Sequence, residues 1–151
     1  MTDVKTVQVT FDCADPDRLA RFWAEALGYQ VDPPPPGFES WPDFLGARGV
    51  PEVLWNARSA CSDPTGVGPR LFFQRVPEPK TVKNRLHLDV RIAPGLTDEA
   101  RTAALEAECE RLRGLGATRR DPWPADGPGF EAFDQDIIIM LDPEGNEFCL
   151  D

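Results

Sequence analysis

Basic residues are scarce in this sequence, and their shortage excludes two classes of partner. The chain has 16 Lys and Arg against 26 Asp and Glu, which gives a formal net charge of −10 over 151 residues. A nucleic-acid backbone and an anionic membrane surface are both bound by clustered Lys and Arg. We therefore expect neither nucleic acid nor a membrane as a partner.

Histidine and paired cysteines are also scarce. The single histidine leaves little room for a His-rich zinc site. The four cysteines form no Cys-x-x-Cys pair, and the chain is longer than a disulfide-stapled mini-domain. This pattern predicts free thiols in the cytoplasm.

Long apolar runs and several enzyme motifs are missing as well. The longest aliphatic run, Ile137–Leu141, is too short to span a bilayer, and the N-terminal residues lack an apolar signal core. The sequence has no Gly-x-Gly-x-x-Gly after a strand, no phosphate loop with Gly-Lys-Ser/Thr, and no Gly-x-Ser-x-Gly elbow. We expect a cytoplasmic protein outside those motif classes.

Apolar residues are plentiful enough for one folded domain over residues 1–151, since they make up 41% of the chain. The chain has two halves with the same order of parts. In the first, Val7–Asp12 alternates as a half-buried strand and Asp15 caps a helix that leaves at Leu27-Gly28. In the second, Arg85–Arg91 alternates in the same way, and a helix capped by Thr97 follows.

Short strands and turn-rich loops fill the rest of each half. The other predicted strands are Val53–Trp55, Arg70–Val76, Ile137–Leu141 and Glu147–Leu150. The predicted loops are Asp32–Gly37, Ser59–Pro69 and Asp121–Gly129. A duplicated unit that buries one sheet face under a helix leaves the other face open, so that face must line a partner or a cavity.

Four segments of the two halves form a recognisable set: Gln8–Asp12 with the helix after it, Leu27–Tyr29, Lys83–Asp89 and Asp142–Phe148. Together they resemble the vicinal oxygen chelate superfamily, which contains the glyoxalase and bleomycin-resistance-like proteins and small bacterial glyoxalase-like domain proteins. The resemblance implies an α+β fold of two βαβββ modules, forming a cup-shaped curved sheet with the helices outside. Module one would run from about residue 4 to 79, and module two from about 83 to 151.

The resemblance also implies that the strand faces opposite the helices line a ligand cavity. Alternation then places there the side chains of Gln8, Thr10, Phe72, Gln74, Arg85, His87, Asp89 and Cys149. His87 is a candidate general base with Asp89 on the same strand face, and equally a side chain that only lines the cavity.

Metal-dependent members of the superfamily hold a divalent ion with His, Gln and Glu side chains. By resemblance, those positions fall here on Gln8, Gln74 and His87, and the fourth falls on Cys149 instead of a carboxylate. Two neutral amides and a thiol suit a hard dication poorly, so we expect no tightly bound catalytic metal and no other cofactor. In the alternative, Glu147 shares the face of Cys149 and completes a divalent metal site with Gln8, Gln74 and His87.

Two functional interpretations follow from the resemblance. In the first, the chain binds a small organic molecule in the cup, for sequestration or a metal-independent transformation. In the second, it is a metal-dependent lyase, isomerase or dioxygenase that polarises vicinal substrate oxygens. The resemblance also implies a homodimer, while neither the substrate nor enzyme activity itself follows from the sequence.

Overall fold

The computed structural model describes residues 3–120 and 137–151 of the chain. The chain divides into two compact units, with the division between Pro79 and Lys80. Each unit is a strand, a helix and three further strands, and each forms its own four-stranded sheet. The α+β fold with two βαβββ units is therefore confirmed. Within the described ranges, no helix is both long and apolar enough to cross a bilayer.

Unit 1 contains four strands, two α-helices and a 3-10 turn. In chain order they are β1 (Val9–Cys13), α1 (Pro16–Leu27), β2 (Gln30–Val31), α2 (Trp41–Ala47), the 3-10 turn Glu52–Leu54, β3 (Arg58–Ser62) and β4 (Leu71–Arg75). The sheet order is β1-β4-β3-β2, with β1 parallel to β4 and the other pairs antiparallel.

Helix α1 begins and ends at the residues that its sequence predicts. The Asp15 side chain accepts a hydrogen bond from the backbone N–H of Arg18 at 3.2 Å, and Gly28 ends the helix in the left-handed region at φ 69°. The helix packs on β3 and β4 and buries Trp23. The Trp23 ring lies 5.3 Å from that of Phe11 on β1, so aromatic contacts fill this side of the sheet.

Unit 2 repeats the topology with one helix. Its elements are β5 (Leu88–Val90), α3 (Asp98–Gly114), β6 (Thr118–Arg119), β7 (Ile138–Leu141) and β8 (Glu147–Leu150). The sheet order is β5-β8-β7-β6, and β5 and β8 are parallel. Helix α3 buries Leu105, Cys109 and Leu112, and the Cys109 thiol lies 3.5 Å from the sulfur of Met140 on β7.

The turn between β7 and β8 is fixed by Asp142. One of its carboxylate oxygens accepts hydrogen bonds from the backbone N–H groups of Glu144 at 2.9 Å and Asn146 at 3.0 Å. Gly145 supplies the positive φ of 84° that closes the turn. This turn sets where β8 begins, and therefore which β8 side chains face away from α3.

Two predictions between α1 and β4 are wrong. The predicted strand Val53–Trp55 is replaced by the 3-10 turn, closed by a bond from the Trp55 N–H to the carbonyl of Glu52 at 3.0 Å. The predicted loop Ser59–Pro69 contains most of β3, which pairs with both β2 and β4. Its small, weakly β-forming residues are held by those two neighbours, a long-range effect that local composition does not report.

The first strand of unit 2 is shorter than its alternation predicts. The alternating run covers Arg85–Arg91, but only Leu88–Val90 pairs with β8. Leu86, expected on the buried face, is 70% exposed because the chain bends there before it enters the sheet. The predicted loop Asp121–Gly129 lies outside the described residues.

Candidate functional site

In unit 1, polar side chains lie on the sheet face opposite α1. The register of β1 and β4 places Thr10 beside Phe72 and Asp12 beside Gln74, while Phe11 and Phe73 stack at 5.1 Å on the helix side. The Gln74 amide Nε2 donates to Asp12 Oδ1 at 2.7 Å. This face therefore carries polar groups that are already held in place by their cross-strand neighbours.

The Gln8 side chain is bonded to a cation at the start of the same two strands. Gln8 lies one residue before β1 and is exposed. Its Oε1 accepts a hydrogen bond from Arg70 Nη1 at 2.7 Å, and its Nε2 lies 3.5 Å from Thr10 Oγ1. The amide oxygen, which is the atom that a metal would need, thus faces a guanidinium group.

The Arg70 side chain is fixed by two further contacts. Its Nε donates to Asp32 Oδ2 at 2.8 Å, and Asp32 Oδ1 accepts from the Ser62 hydroxyl at 2.7 Å. The guanidinium carbon lies 5.4 Å from the centre of the Phe72 ring, within cation–π range. Burial, followed by the Asp32 charge and opposed by Arg70, raises the pKa of the neighbouring Cys61 thiol to about 12, so this thiol stays protonated.

In unit 2, three side chains of different chemistry converge on the face opposite α3. His87 Nδ1 lies 3.0 Å from Asp89 Oδ1, and Asp89 is the register partner of Cys149 on β8. One donor atom from each of His87, Asp89 and Cys149 lies within 4.8 Å of the other two. His87 and Asp89 are exposed and Cys149 is half-buried, so this His87–Asp89–Cys149 cluster is open to a ligand.

Glu147, two residues before Cys149, is held by other residues of unit 2. Its side chain is 6% exposed and accepts from the Asn84 N–H at 2.9 Å, from Lys80 Nζ at 3.1 Å and from Arg120 Nη1 at 3.2 Å. Burial alone would raise the pKa of this carboxyl group. The Asn84 and Lys80 hydrogen bonds outweigh burial and leave the pKa below its ordinary value.

The donors predicted for a hard divalent ion therefore do not fit one as they stand. Both oxygens of Glu147 accept hydrogen bonds from nearby donors, and the only oxygen that Gln8 could offer accepts from Arg70. An ion on Glu147 would compete with the Lys80 ammonium and the Arg120 guanidinium for the carboxylate oxygens, at the cost of those charge-assisted bonds. The chemistry of the His87–Asp89–Cys149 cluster is different, because it combines an imidazole, a carboxylate and a thiol, the donor types that zinc accepts.

Two other predicted site residues, Arg85 and Thr10, are both exposed. Arg85 is exposed and lies in the bend before β5, outside the paired part of the strand. Thr10 is exposed on β1, within reach of Gln8. The Asp12 and Asp89 carboxylates bond Gln74 and His87, respectively.

Sequence reasoning passed over the cations that organise both faces. Arg70 has the same alternation phase as Phe72 and Gln74, and that phase is the signal that could have found it. Lys80 and Arg120 lie 67 and 27 residues from Glu147 along the chain. No local pattern could have assigned those two partners, because their contact depends on the folded unit.

Comparison with known proteins supports the fold. A family model described as "Glyoxalase-like domain" matches residues 8–150. Structural neighbours include a mutant of the fosfomycin resistance protein FosX from Listeria monocytogenes, complexed with Mn(II) and 1S,2S-dihydroxypropylphosphonic acid, at TM-score 0.57 and 11% identity. That match covers 99% of this chain and 90% of the FosX chain. No curated protein sequence matches.

Two further neighbours have the same architecture. A glyoxalase/bleomycin resistance protein/dioxygenase family enzyme from Burkholderia phytofirmans aligns at TM-score 0.57 and 14% identity, over 95% of this chain and 94% of its own. A possible glyoxalase from Bacillus cereus aligns at TM-score 0.54 and 14% identity, over 99% and 98%. The resemblance to the glyoxalase and bleomycin-resistance-like proteins is thereby confirmed: the chain belongs to the glyoxalase-like domain family.

Proposed function

We propose that this protein binds a small organic molecule on its polar strand faces, without a tightly bound catalytic metal on Gln8, Gln74, His87 and Glu147. The observation that carries the proposal is the engagement of Glu147, the only carboxylate in that set, by two cations and a backbone N–H. A hard dication depends on carboxylate charge, and here that charge already has its counter-ions.

Open polar faces supply the rest of the argument. In each unit a helix covers one side of the sheet, and the other side carries side chains such as Thr10, Gln74 and Asp89. Ligand sites need a few oriented polar groups among apolar contacts, and Phe72 in unit 1 and Ile139 in unit 2 lie beside them. Ligand contacts are proposed for Gln8, Thr10, Phe72, Gln74, Arg85 and Cys149.

His87 is the proposed proton-transfer group. Asp89 lies against its Nδ1 at 3.0 Å, so an ionised Asp89 holds the tautomer with hydrogen on Nδ1. The Nε2 atom is then the basic nitrogen, and it can take a proton from a bound molecule. Turnover would place the protein with glyoxalase-type lyases, isomerases or dioxygenase-like enzymes, and without turnover it sequesters its ligand.

The test is a metabolite library screened by thermal shift, with hits measured by calorimetry on protein purified without chelator. We expect hits that bind metal-free protein and are weakened by His87→Ala and Gln74→Ala. Glu110→Gln, an exposed ion-pair residue on α3, is the control and should not change binding. Unchanged binding of every hit in both site variants would show that the placement is wrong.

A second candidate function is metal-dependent chemistry with a different donor set. The observation that favours it is the His87–Asp89–Cys149 cluster, whose donor atoms lie within 4.8 Å of one another. A thiolate and an imidazole select zinc or cobalt over manganese, and such an ion would polarise substrate oxygens. Titration with Co(II) should give a thiolate charge-transfer band that Cys149→Ser removes. Stoichiometric metal binding with this band would favour the metal-dependent candidate. A titration without the band would favour metal-independent binding of an organic molecule.

We also propose that residues 1–151 act as one domain, because a single family match runs from residue 8 to 150. A homodimer in the cytoplasm is the proposed state of the protein, as the resemblance and the cysteine pattern suggest. Light scattering at several concentrations measures the mass directly, and a monomer at every concentration would contradict the dimer.

A further inference from the structure

Arg70 in unit 1 is a cation whose side chain is fixed before any ligand arrives. Asp32 and Gln8 hold its Nε and Nη1 at 2.8 and 2.7 Å, and its guanidinium carbon lies over the Phe72 ring, 5.4 Å from the ring centre. Asp32 is itself fixed by the Ser62 hydroxyl. An arginine normally loses much rotamer freedom when it binds a ligand, and these contacts have already removed most of it.

The same contacts leave part of the guanidinium group available. Asp32 and Gln8 use one N–H each, so Nη2 has no hydrogen-bond partner among residues 3–120 and 137–151. The Arg70 side chain is 42% exposed. Coplanar N–H groups on the free side of the guanidinium therefore point to where a ligand can reach them.

We propose that Arg70 anchors the carboxylate group of the organic molecule that this protein binds. The inference rests on the proposed function and names the chemical class of the ligand. Coplanar guanidinium N–H groups match the two oxygens of a planar carboxylate, which is the geometry that makes Arg–carboxylate pairs selective. Phe72, beneath the guanidinium, offers apolar contact to the part of the ligand next to that carboxylate.

Local charge selects a monoanion over a dianion. Asp32 already balances the charge of Arg70, and Asp12 lies further along the same strand face. The whole chain carries a net charge of −10. A phosphonate or phosphate dianion would meet more repulsion here than a carboxylate does, so a carboxylate is the assigned group. Asp32 and Gln8 act as positioning residues for Arg70.

The experiment compares three probes that differ in the head group on one ring: benzoate, neutral benzamide and phenylphosphonate. Binding to the full chain is followed by NMR titration or calorimetry at millimolar probe concentration. We expect benzoate to bind better than both other probes. Arg70→Gln and Arg70→Lys should each weaken benzoate about tenfold, because a lysine restores the charge but not the planar pair of donors.

Arg58→Gln is the matched control. Arg58 is exposed on β3 as the register partner of Gln74, so it removes the same charge from the same sheet face. Asp32→Asn keeps Arg70 but removes the carboxylate charge beside it, so it should strengthen phenylphosphonate more than benzoate while benzamide stays unchanged. Thermal unfolding of each variant shows whether it is folded. If the Arg70 variants do not fold, Asp32→Asn still tests the proposal.

Each contrary result has its own meaning. Equal loss in Arg58→Gln and Arg70→Gln would overturn the anchor in favour of general electrostatics, and tighter binding of phenylphosphonate would overturn the carboxylate assignment. No benzoate binding to the unaltered protein would overturn the anchor, while library hits that need His87 would still support the proposed function. If the library hits lack carboxylates and bind the Arg70 variants as well as the unaltered protein, the role of Arg70 is overturned while the proposed function stands.

Discussion

The two units share one topology but use their charged side chains differently. In unit 1, Arg70 and Asp32 pair on the surface, with 42% and 22% of their side chains exposed. In unit 2, Glu147 is 6% exposed and takes both Lys80 and Arg120. The surface pair leaves the Arg70 cation partly exposed to solvent, whereas the Glu147 carboxylate is buried and bonded to two cations of its own unit. The same fold thus places one charged set at the surface and the other in the interior of its unit.

The buried set also shapes the face beside it. Lys80 and Asn84 precede the bend that leads to His87, and both bond Glu147 on β8. Glu147 therefore holds the segment just before His87. This carboxylate, which the alternative metal set would use, is bonded outside the His87–Asp89–Cys149 cluster.

The largest effect is expected from Glu147→Gln. It removes the carboxylate charge that Lys80 and Arg120 face, and a buried charge set that loses one partner is costly. We expect the free energy of unfolding to fall by about 2 kcal/mol, toward the lower end for such sets because both cations reach solvent. Urea denaturation measures it. Glu110→Gln, which breaks an exposed pair with Arg113 on α3, is the control and should cost far less, because water screens this pair. Equal losses would remove the distinction between the buried and surface sets.

A smaller effect is expected from Asp32→Asn in unit 1. The pair with Arg70 is partly exposed, so we expect a loss of about 0.5–1 kcal/mol, reduced further by added salt. Asp17→Asn breaks the more exposed pair with Arg21 and serves as the control. A loss for Asp32→Asn as large as for Glu147→Gln, measured in the same denaturation series, would contradict the comparison.

A coupling of about 0.5 kcal/mol is expected between Asp12 and Gln74, whose side chains bond across β1 and β4 on an exposed face. A double-mutant cycle with alanine at both positions measures this value. The cycle of Asp12 with Arg70 should give no coupling, since Gln8 and Asp32 are the partners of Arg70. Coupling in that second cycle would show that the face acts as one network.

The smallest effect is a pH dependence at Asp63 in unit 1. Backbone N–H groups of Gly68 and Thr65 hold the pKa of this carboxyl group below 3.8. A lowered pKa in the folded state contributes stability above 3.8 that is lost as pH falls through the folded value. Asp63→Asn should therefore lower the denaturation midpoint slightly at pH 7, and the gap should close in acid. A difference between the two denaturation midpoints that widens in acid would contradict the lowered pKa of Asp63.

Local rules predicted much of the fold. Alternation placed β1, a proline after a capping aspartate began α1, and the Asp142–Asn146 turn set β8. β3 was missed because its pairing with two neighbours, not its composition, makes it a strand. The hydrogen-bond partners of the candidate site residues could not be predicted for the same reason. Whether the Glu147 carboxylate is available depends on Lys80 and Arg120, which are distant in sequence.

The accessibility of the four thiols has a practical consequence. All four cysteines lie in the described residues, and Cys13, Cys61 and Cys109 are buried while Cys149 is partly exposed. Alkylating reagents attack accessible thiolates, and burial also raises the pKa of Cys61 and Cys109. A maleimide dye added to native protein should attach at Cys149 alone. The chain thus carries its own single attachment point for a fluorescent reporter beside His87, with no cysteine to engineer in or out.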